Sequence, residues 1–311
     1  MSKCMQIDKP LVSILLAVYK PNEKWLIELL ISLNEQTYEN LELLIYDDCP
    51  DSPVNEDYFK KHITNFKYTL IRGETNKGSN KAFEELTKLG NGEFFAYCDQ
   101  DDIWENNKIE ILTTLIKKER SIIAYSDMKV IDEDGKIVAN TLLDVKTRLN
   151  YIKGEKILSK IFFKNCISGC CMLIESKVAK KAIPFSKYVL HDQWLSIIAS
   201  CYGKICFTNK SLVKYRIHGD NQTYSLKGIN DKKDYYKLRV EVLKDRLIEL
   251  ENFISKNDVD LDEIKEFCCA RINKNIFKII KYRYLCKKEA YFEVAIKYMP
   301  NFIFKIIIKV K

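Results

Sequence analysis

Histidine is scarce in this chain, three among 311 residues, and the sequence shows no Cys/His cage of the zinc kind. The 11 cysteines are scattered and form no pair of Cys-x-x-Cys units, which excludes a zinc finger or ribbon. Their spacing does not make a disulfide framework either, and a reducing cytoplasm is expected. No Gly-x-Gly-x-x-Gly follows the first apolar run, against a dinucleotide fold of the usual kind. Gly73 to Ser79 has the glycine spacing of a P-loop, but Ser79 stands where the phosphate lysine belongs; the stretch reads as a turn and helix start. Met1 to Lys9 has no apolar core, so no signal peptide is expected. The apolar run from Asn301 to Lys311 is far too short to span a bilayer.

The composition, 47% hydrophobic and 30% charged, is that of a soluble globular protein able to bury a substantial core. Formal net charge is +8, with the excess largely in the last third. Charge alone leaves nucleic acid, anionic lipid and phosphorylated ligands open as partners.

The organising stretch is Phe94 to Trp104. Phe94 to Cys98 is almost wholly apolar and reads as a strand buried on both faces. It stops in three carboxylates, Asp99, Asp101 and Asp102. Alternation along a strand would put Asp99 and Asp101 on one side of its carboxyl end. Like charges that close repel unless a cation lies between them, so a divalent-metal site is expected there. Leu11 to Val18, Leu41 to Tyr46, Tyr68 to Ile71 and Ser121 to Ser126 read as further strands, the last ending at Asp127. Helical stripes run over Glu23–Gln36, Gly78–Leu89 and Lys108–Lys118. The alternation predicts an α/β fold, a Rossmann-like, mostly parallel sheet flanked by helices.

Beyond Asp127 the alternation weakens. Asp132 to Lys136 reads as a tight turn, Cys166 to Ile174 as containing a strand, and Leu212 to Ile217 as another. His191-Asp192-Gln193-Trp194 opens an apolar helical run, where an acid is commonly a cap. From Gly228 the chain reads as helices only: Tyr235 to Ile254, Glu263 to Tyr284, Glu289 to Met299 and the terminal run. The aromatics, isoleucines and lysines of that last run suit a helix lying at an anionic membrane surface. They suit equally a helix packed on the catalytic domain or a second subunit, and oligomeric state is open. Residues 1–227 are expected to form the catalytic domain and 228–311 a helical extension.

Six segments, taken in order, resemble glycosyltransferase family 2. They are Val12 to Tyr19, Tyr46-Asp47-Asp48, Asn76-Lys77-Gly78, Asp99 to Trp104, His191-Asp192-Gln193-Trp194 and Tyr215 to Asn221. The form Asp-Gln-Asp-Asp-Ile-Trp with a later His-Asp-x-Trp is similar to bacterial rhamnosyltransferase-type members that build surface polysaccharides. The resemblance implies the GT-A fold with a C-terminal helical extension. It implies transfer, with inversion, from a UDP- or dTDP-linked sugar to a saccharide acceptor, lipid-linked or free, with Mn2+ or Mg2+ as cofactor and no nucleic-acid partner. Asp47 and Asp48 would hold the nucleobase, and Ala17, Tyr19, Asn76, Gly78, Asp99 and Gln100 would complete the donor site. Asp99 and Asp101, with His218, would meet the metal. Asp192 would be the catalytic base, with His191 and Trp194 at the acceptor. Cys49-Pro50 stands where the family usually has Gly-Ser. The enzyme would work in the cytoplasm, with peripheral contact on the inner face of the membrane.

Two other readings stand beside this one. A sugar-nucleotide nucleotidyltransferase usually opens with a glycine- and arginine-rich loop after its first strand, and Tyr19-Lys20-Pro21-Asn22 is not one. A non-catalytic subunit of the same fold would have little reason to keep Asp99, Asp101 and Asp192 together, because buried charge is costly.

Overall fold

Apolar, β-branched runs set the sheet. In the computed structural model, which describes residues 9–147, 149–219, 228–254 and 259–309, the strands are β1 (Val12–Val18), β2 (Leu41–Asp47), β3 (Lys67–Arg72), β4 (Phe94–Cys98), β5 (Ile103–Trp104), β6 (Ile123–Ile131), β7 (Ile137–Ala139), β8 (Met172–Glu175) and β9 (Ile205–Arg216). They join in the order β3-β2-β1-β4-β8-β6-β9-β5, with β7 on β6. β1, β2, β3, β4, β6 and β9 run one way and β5, β7 and β8 the other. All five residues of β4 are buried, because helices cover both faces of the sheet. Helices Glu23–Asn34 and Lys108–Glu119 contribute Leu26, Leu30, Leu33, Ile109, Leu112 and Ile116 to one core with Ile14, Leu16, Leu43 and Ala96. The α/β expectation of a mostly parallel, helix-flanked sheet is met.

Three local readings need correction, and the strand expected within Cys166–Ile174 is narrowed. β6 does not end at Asp127 but continues to Ile131, because Val130 and Ile131 are buried in register with Tyr215 and Arg216 of β9. β9 starts at Ile205, well before Leu212. Within Cys166–Ile174 only the last residues are strand: Gly169–Cys171 forms a 3₁₀ turn, and antiparallel pairing with β4 and β6 begins at Met172. The helix expected over Glu263–Tyr284 is two, Asp262–Ile272 and Ile276–Lys281. Lys274 lies at φ +54°, and Asn275 caps the second helix by accepting from the Lys278 N–H at 3.2 Å. An Asn cap satisfies a helix-start N–H that a continuous helix would have bonded internally.

Two compact units emerge. The first comprises residues 1–155, 166–185 and 191–218 and carries the whole sheet. The second comprises 156–165, 186–190 and 219–311 and is helical. Met1 to Asp8, Asp220 to Lys227 and Val310-Lys311, on which the leader, motif-end and terminal readings partly fall, lie outside the described residues. No helix among the described residues is long and apolar enough to cross a membrane. In the second unit Val240, Phe267, Ile296 and Phe304 are fully buried. A six-residue π segment, Tyr236–Glu241, turns Val240 into that core. Its polar centre is a buried ion pair: Arg271 donates through Nε and Nη2 to Glu293 at 2.6–3.1 Å, and the Tyr235 hydroxyl donates to the same carboxylate at 3.0 Å.

Removing one partner of such a pair strands the other charge without water. Glu293→Ala is therefore expected to destabilise the helical unit by about 3–5 kcal/mol, read as a lowered melting transition by circular dichroism. Unchanged melting would take the pair out of the account of stability.

Candidate active site

The order β3-β2-β1-β4 reverses the winding between β1 and β4, and ligands of open α/β sheets bind beyond the strand ends at such a point. Val18 is level with Asp47 and Leu16 with Cys98, so the chain leaves β4 two residues before it leaves β1. Gln100 uses that offset. Its Oε1 accepts from the Tyr19 N–H at 2.8 Å and its Nε2 donates to the Tyr19 carbonyl at 3.0 Å. The amide thus clamps the two exits together, leaving the Tyr19 side chain exposed and Ala17 partly so.

Both acids of the β2 exit are buried and committed. Asp47 accepts from the N–H groups of Cys49 (3.2 Å) and Val54 (2.8 Å) and pairs with Arg72 at 3.0 Å. It shapes the Cys49–Val54 loop. Asp48 accepts from the N–H groups of Lys77 and Gly78 at 2.8 and 2.7 Å. Asn76 Oδ1 also accepts from Gly78 N–H, and Gly78, at φ +77°, opens helix Ser79–Leu89. Glycine enters that φ region without steric cost. The segment with P-loop-like glycines is thus a helix start tied to β2.

The acidic stretch after β4 is a turn, not a continued strand, so alternation no longer governs it. Asp101 and Asp102 part company there. Asp101 Oδ2 lies 2.7 Å from His218 Nε2, with the two side chains 18% and 10% exposed. Asp102 is fully buried: Oδ1 accepts from the Arg216 N–H at 3.0 Å, and Oδ2 has no hydrogen-bond partner among the described residues. Asp99, Asp102 and the Cys170 thiol bring donor atoms within 4.8 Å of one another, near enough for one ion. The expected set Asp99, Asp101 and His218 is therefore divided over two adjacent groupings. The turn sets that division, because residues two apart share a face only while the pleat lasts.

Two cations that the sequence reading passed over hold this turn. Arg216, fully buried, donates through Nε to the Asp101 carbonyl (2.9 Å), through Nη1 to the Asp132 and Glu133 carbonyls, and through Nη2 to Glu28 (2.6 Å). Its five-donor fork suits so many acceptors at once. Lys108, also fully buried, donates to the Cys170 carbonyl at 2.6 Å and lies over the Trp104 ring. Burial pulls its pKa down to about 8, and nearby Asp102 opposes that shift. The available signal was a Lys four residues past Trp104, at the buried start of a helix.

Asp192 lies in the first turn of helix His191–Tyr202, partly exposed, and its charge reaches Asp99. Its two expected companions turn inward. Trp194 is buried with Nε1 donating to the Ala182 carbonyl at 2.8 Å. The His191 ring packs against Phe83 and Tyr97, and a Cβ on Gly169 would come within 2.6 Å of its Nε2. Among the described residues neither ring nitrogen has a hydrogen-bond partner, and burial drops its pKa to about 3. Both are core residues, buried away from any saccharide acceptor. His191 fixes the helix start instead, through its N–H on Asn80 at 2.7 Å.

Residues 13–182 match the family Glycosyl transferase family 2. The chain is 30% identical over 242 residues to an uncharacterized glycosyltransferase, MJ1057, of Methanocaldococcus jannaschii, covering 75% of this chain and 80% of that one. It is 30% identical over 196 residues to WfgD of Escherichia coli, a UDP-Glc:alpha-D-GlcNAc-diphosphoundecaprenol beta-1,3-glucosyltransferase, covering 62% and 71%. Among solved structures, S. aureus TarS 1-349 in complex with UDP-GlcNAc superposes with a TM-score of 0.58 at 17% identity, over 85% of this chain and 71% of that one. The likeness to that structure is one of fold.

Burial, then Asp101 and Asp192, push the Asp99 carboxyl up to about 7. An acid whose folded pKa exceeds its unfolded value, 3.8 here, loses folding free energy as pH rises through the interval between them. Without divalent ions, Asp99→Asn is expected to raise the melting temperature at pH 8 by at least about 2–4 °C, the shift of roughly 1 kcal/mol in a domain of this size. The advantage should vanish as pH falls through 7 toward 4. A pH-independent difference, or a loss at pH 8, would contradict the crowding of charge described here.

Proposed function

The chain belongs to glycosyl transferase family 2 and is a glycosyltransferase; on that premise we propose an inverting, divalent-metal-dependent transfer of a sugar from a nucleotide diphosphate to a saccharide acceptor. The observation that supports this reading is the crowding of acids in the turn after β4, where Asp101 lies on His218 and Asp99 feels the charges of Asp101 and Asp192. Concentrated carboxylate charge there fits a hard divalent ion shared with a diphosphate, and Asp102 adds a buried carboxylate to the neighbouring grouping with Asp99 and Cys170. Asp101 and His218, the more accessible pair, would hold Mn2+ or Mg2+, with Asp99 beside them. Bound there, the ion would supply positive charge to the departing diphosphate.

The chain's own groups do the rest. Asp48 holds the Asn76–Gly78 loop in place, and Asp47 the Cys49–Val54 loop; between them these make the wall for a nucleobase. Gln100 and Tyr19 fix the floor. Asp192, in the first turn of its helix, takes the proton from the acceptor hydroxyl, a contribution of about 10²–10⁴-fold. A single base and direct displacement invert the anomeric centre. WfgD's UDP-Glc donor and the UDP-GlcNAc held by TarS favour a UDP-linked donor; the rhamnosyltransferase-like motifs favour a dTDP-linked deoxysugar. The diphosphoundecaprenol-linked acceptor of WfgD supports a lipid-linked saccharide of surface-polysaccharide synthesis, made at the cytoplasmic face. Residues 1–227 are proposed as the catalytic domain and 228–311 as a helical appendage that brings it to its acceptor.

Donor hydrolysis and transfer, assayed across a panel of UDP- and dTDP-sugars with and without Mn2+, test the reading. Activity is expected only with metal, and the product should carry the opposite anomeric configuration to the donor. Asp192→Asn should lower kcat by about 10²–10⁴-fold and leave donor affinity intact. Asp101→Asn should weaken Mn2+ binding in a direct titration. A retained configuration, or full turnover by Asp192→Asn, would dismiss inversion and the base respectively.

A further inference from the structure

The terminal helix Asn301–Lys309 is apolar on both of its sides. Phe304 faces inward, fully buried among Tyr235, Phe292 and Ile296. That contact, and the Asn301 side chain accepting from the Lys232 N–H at 3.2 Å, hold the helix on its own unit. Phe302 and Ile306, one turn apart on another face, are 66% and 58% exposed, with Ile303 and Lys305 exposed beside them. Two more large rings of the same unit stand in water: Phe277 at 90% and Tyr298 at 74%. Exposed apolar side chains occur singly on any surface, but a helical stripe of them next to a helix already anchored by its other side calls for an occupant.

Charge names that occupant. From Arg271 to Lys309 the chain holds ten lysines and arginines against two glutamates. One of those glutamates, Glu293, is spent inside on Arg271, which leaves Glu289 as the remaining acid of the stretch. The helix itself contains no acid. A second copy of this chain would bring like charge against like, whereas an anionic bilayer meets both the apolar stripe and the lysines. We propose that Phe302, Ile303 and Ile306 insert at the headgroup level of an anionic lipid surface, flanked by Lys305 and the basic residues of the same unit. This deepens the reading of a lipid-linked acceptor by naming the surface that receives the membrane.

Full-length protein would be floated with vesicles of mixed phosphatidylglycerol and phosphatidylcholine, and with phosphatidylcholine alone. The expected result is flotation with the anionic vesicles only, lost at about 0.5 M NaCl, where the screening length falls to roughly 4 Å. Phe302→Glu combined with Ile306→Glu should cut it at least about tenfold, with Phe302→Ser and Ile306→Ser as the milder pair and circular dichroism to certify folding. Wild type that stays down, equal flotation by folded variants, or variants that merely turn a dimer into a monomer in light scattering would each overturn the proposal. Donor hydrolysis by the variants should equal wild type. Hydrolysis without flotation sinks this inference and leaves the transferase reading standing; flotation by a wild type that hydrolyses no donor does the reverse.

Discussion

Three carboxylates crowded into the turn after β4 are the constraint that the rest of this structure accommodates. Placed in a buried turn and left alone, they would repel one another and pull the strand ends apart. The fold answers with two buried cations from different directions. Arg216 reaches the turn from the end of β9, holding the Asp101 carbonyl and, through its N–H, the Asp102 carboxylate. Lys108 comes from the helix that follows. Each cation is itself costly to bury, and each is tolerated because the acids are there. The arrangement is mutual, and a folded chain lacking either sign would be in debt to the other.

The same constraint explains why the site is not simply quenched. Arg216 directs its donors mainly to backbone carbonyls and to Glu28, leaving Asp101 to His218 and, among the described residues, Asp99 without an ion pair of its own. Burial and neighbouring charge then hold the Asp99 carboxyl up to about 7. A site kept in that condition gains most when a positive ligand arrives, because binding relieves the repulsion that folding tolerated. If this is the working site, stability and function pull against each other in it.

Much of this was legible in the sequence, for physical reasons that also mark where legibility stops. The continuous apolar runs gave β1, β2 and β4 almost to the residue, since burial on both faces leaves no other composition. The abrupt stop at Asp99 marked the turn that carries the candidate site. What period-two alternation could not supply was the geometry after the strand ended: Asp99 came to face Asp102 and Cys170, and Asp101 to face His218. Lys108 and Arg216 were passed over because a lysine in a helical stripe and an arginine at a strand end normally reach water. Only the three-dimensional crowding of acids tells that these two do not. His191 and Trp194 were misjudged for the converse reason. Polar-tipped rings beside an acid read as ligands, yet an apolar cage of Phe83 and Tyr97 claimed one and the Ala182 carbonyl the other.

The thiol of Cys170 raises the question of which ion such a site would favour, since thiolates attract soft metals. Its hydrogen bond with Cys171, its burial, and the nearby charges of Asp102 and Asp99 all raise its pKa well above the ordinary value. A protonated thiol is a poor ligand, and binding through sulfur would first have to expel that proton beside two carboxylates. The oxygen donors carry no such barrier once Asp99 ionises. In the proposed metal site, the acids would therefore also keep the sulfur protonated, which favours a hard ion.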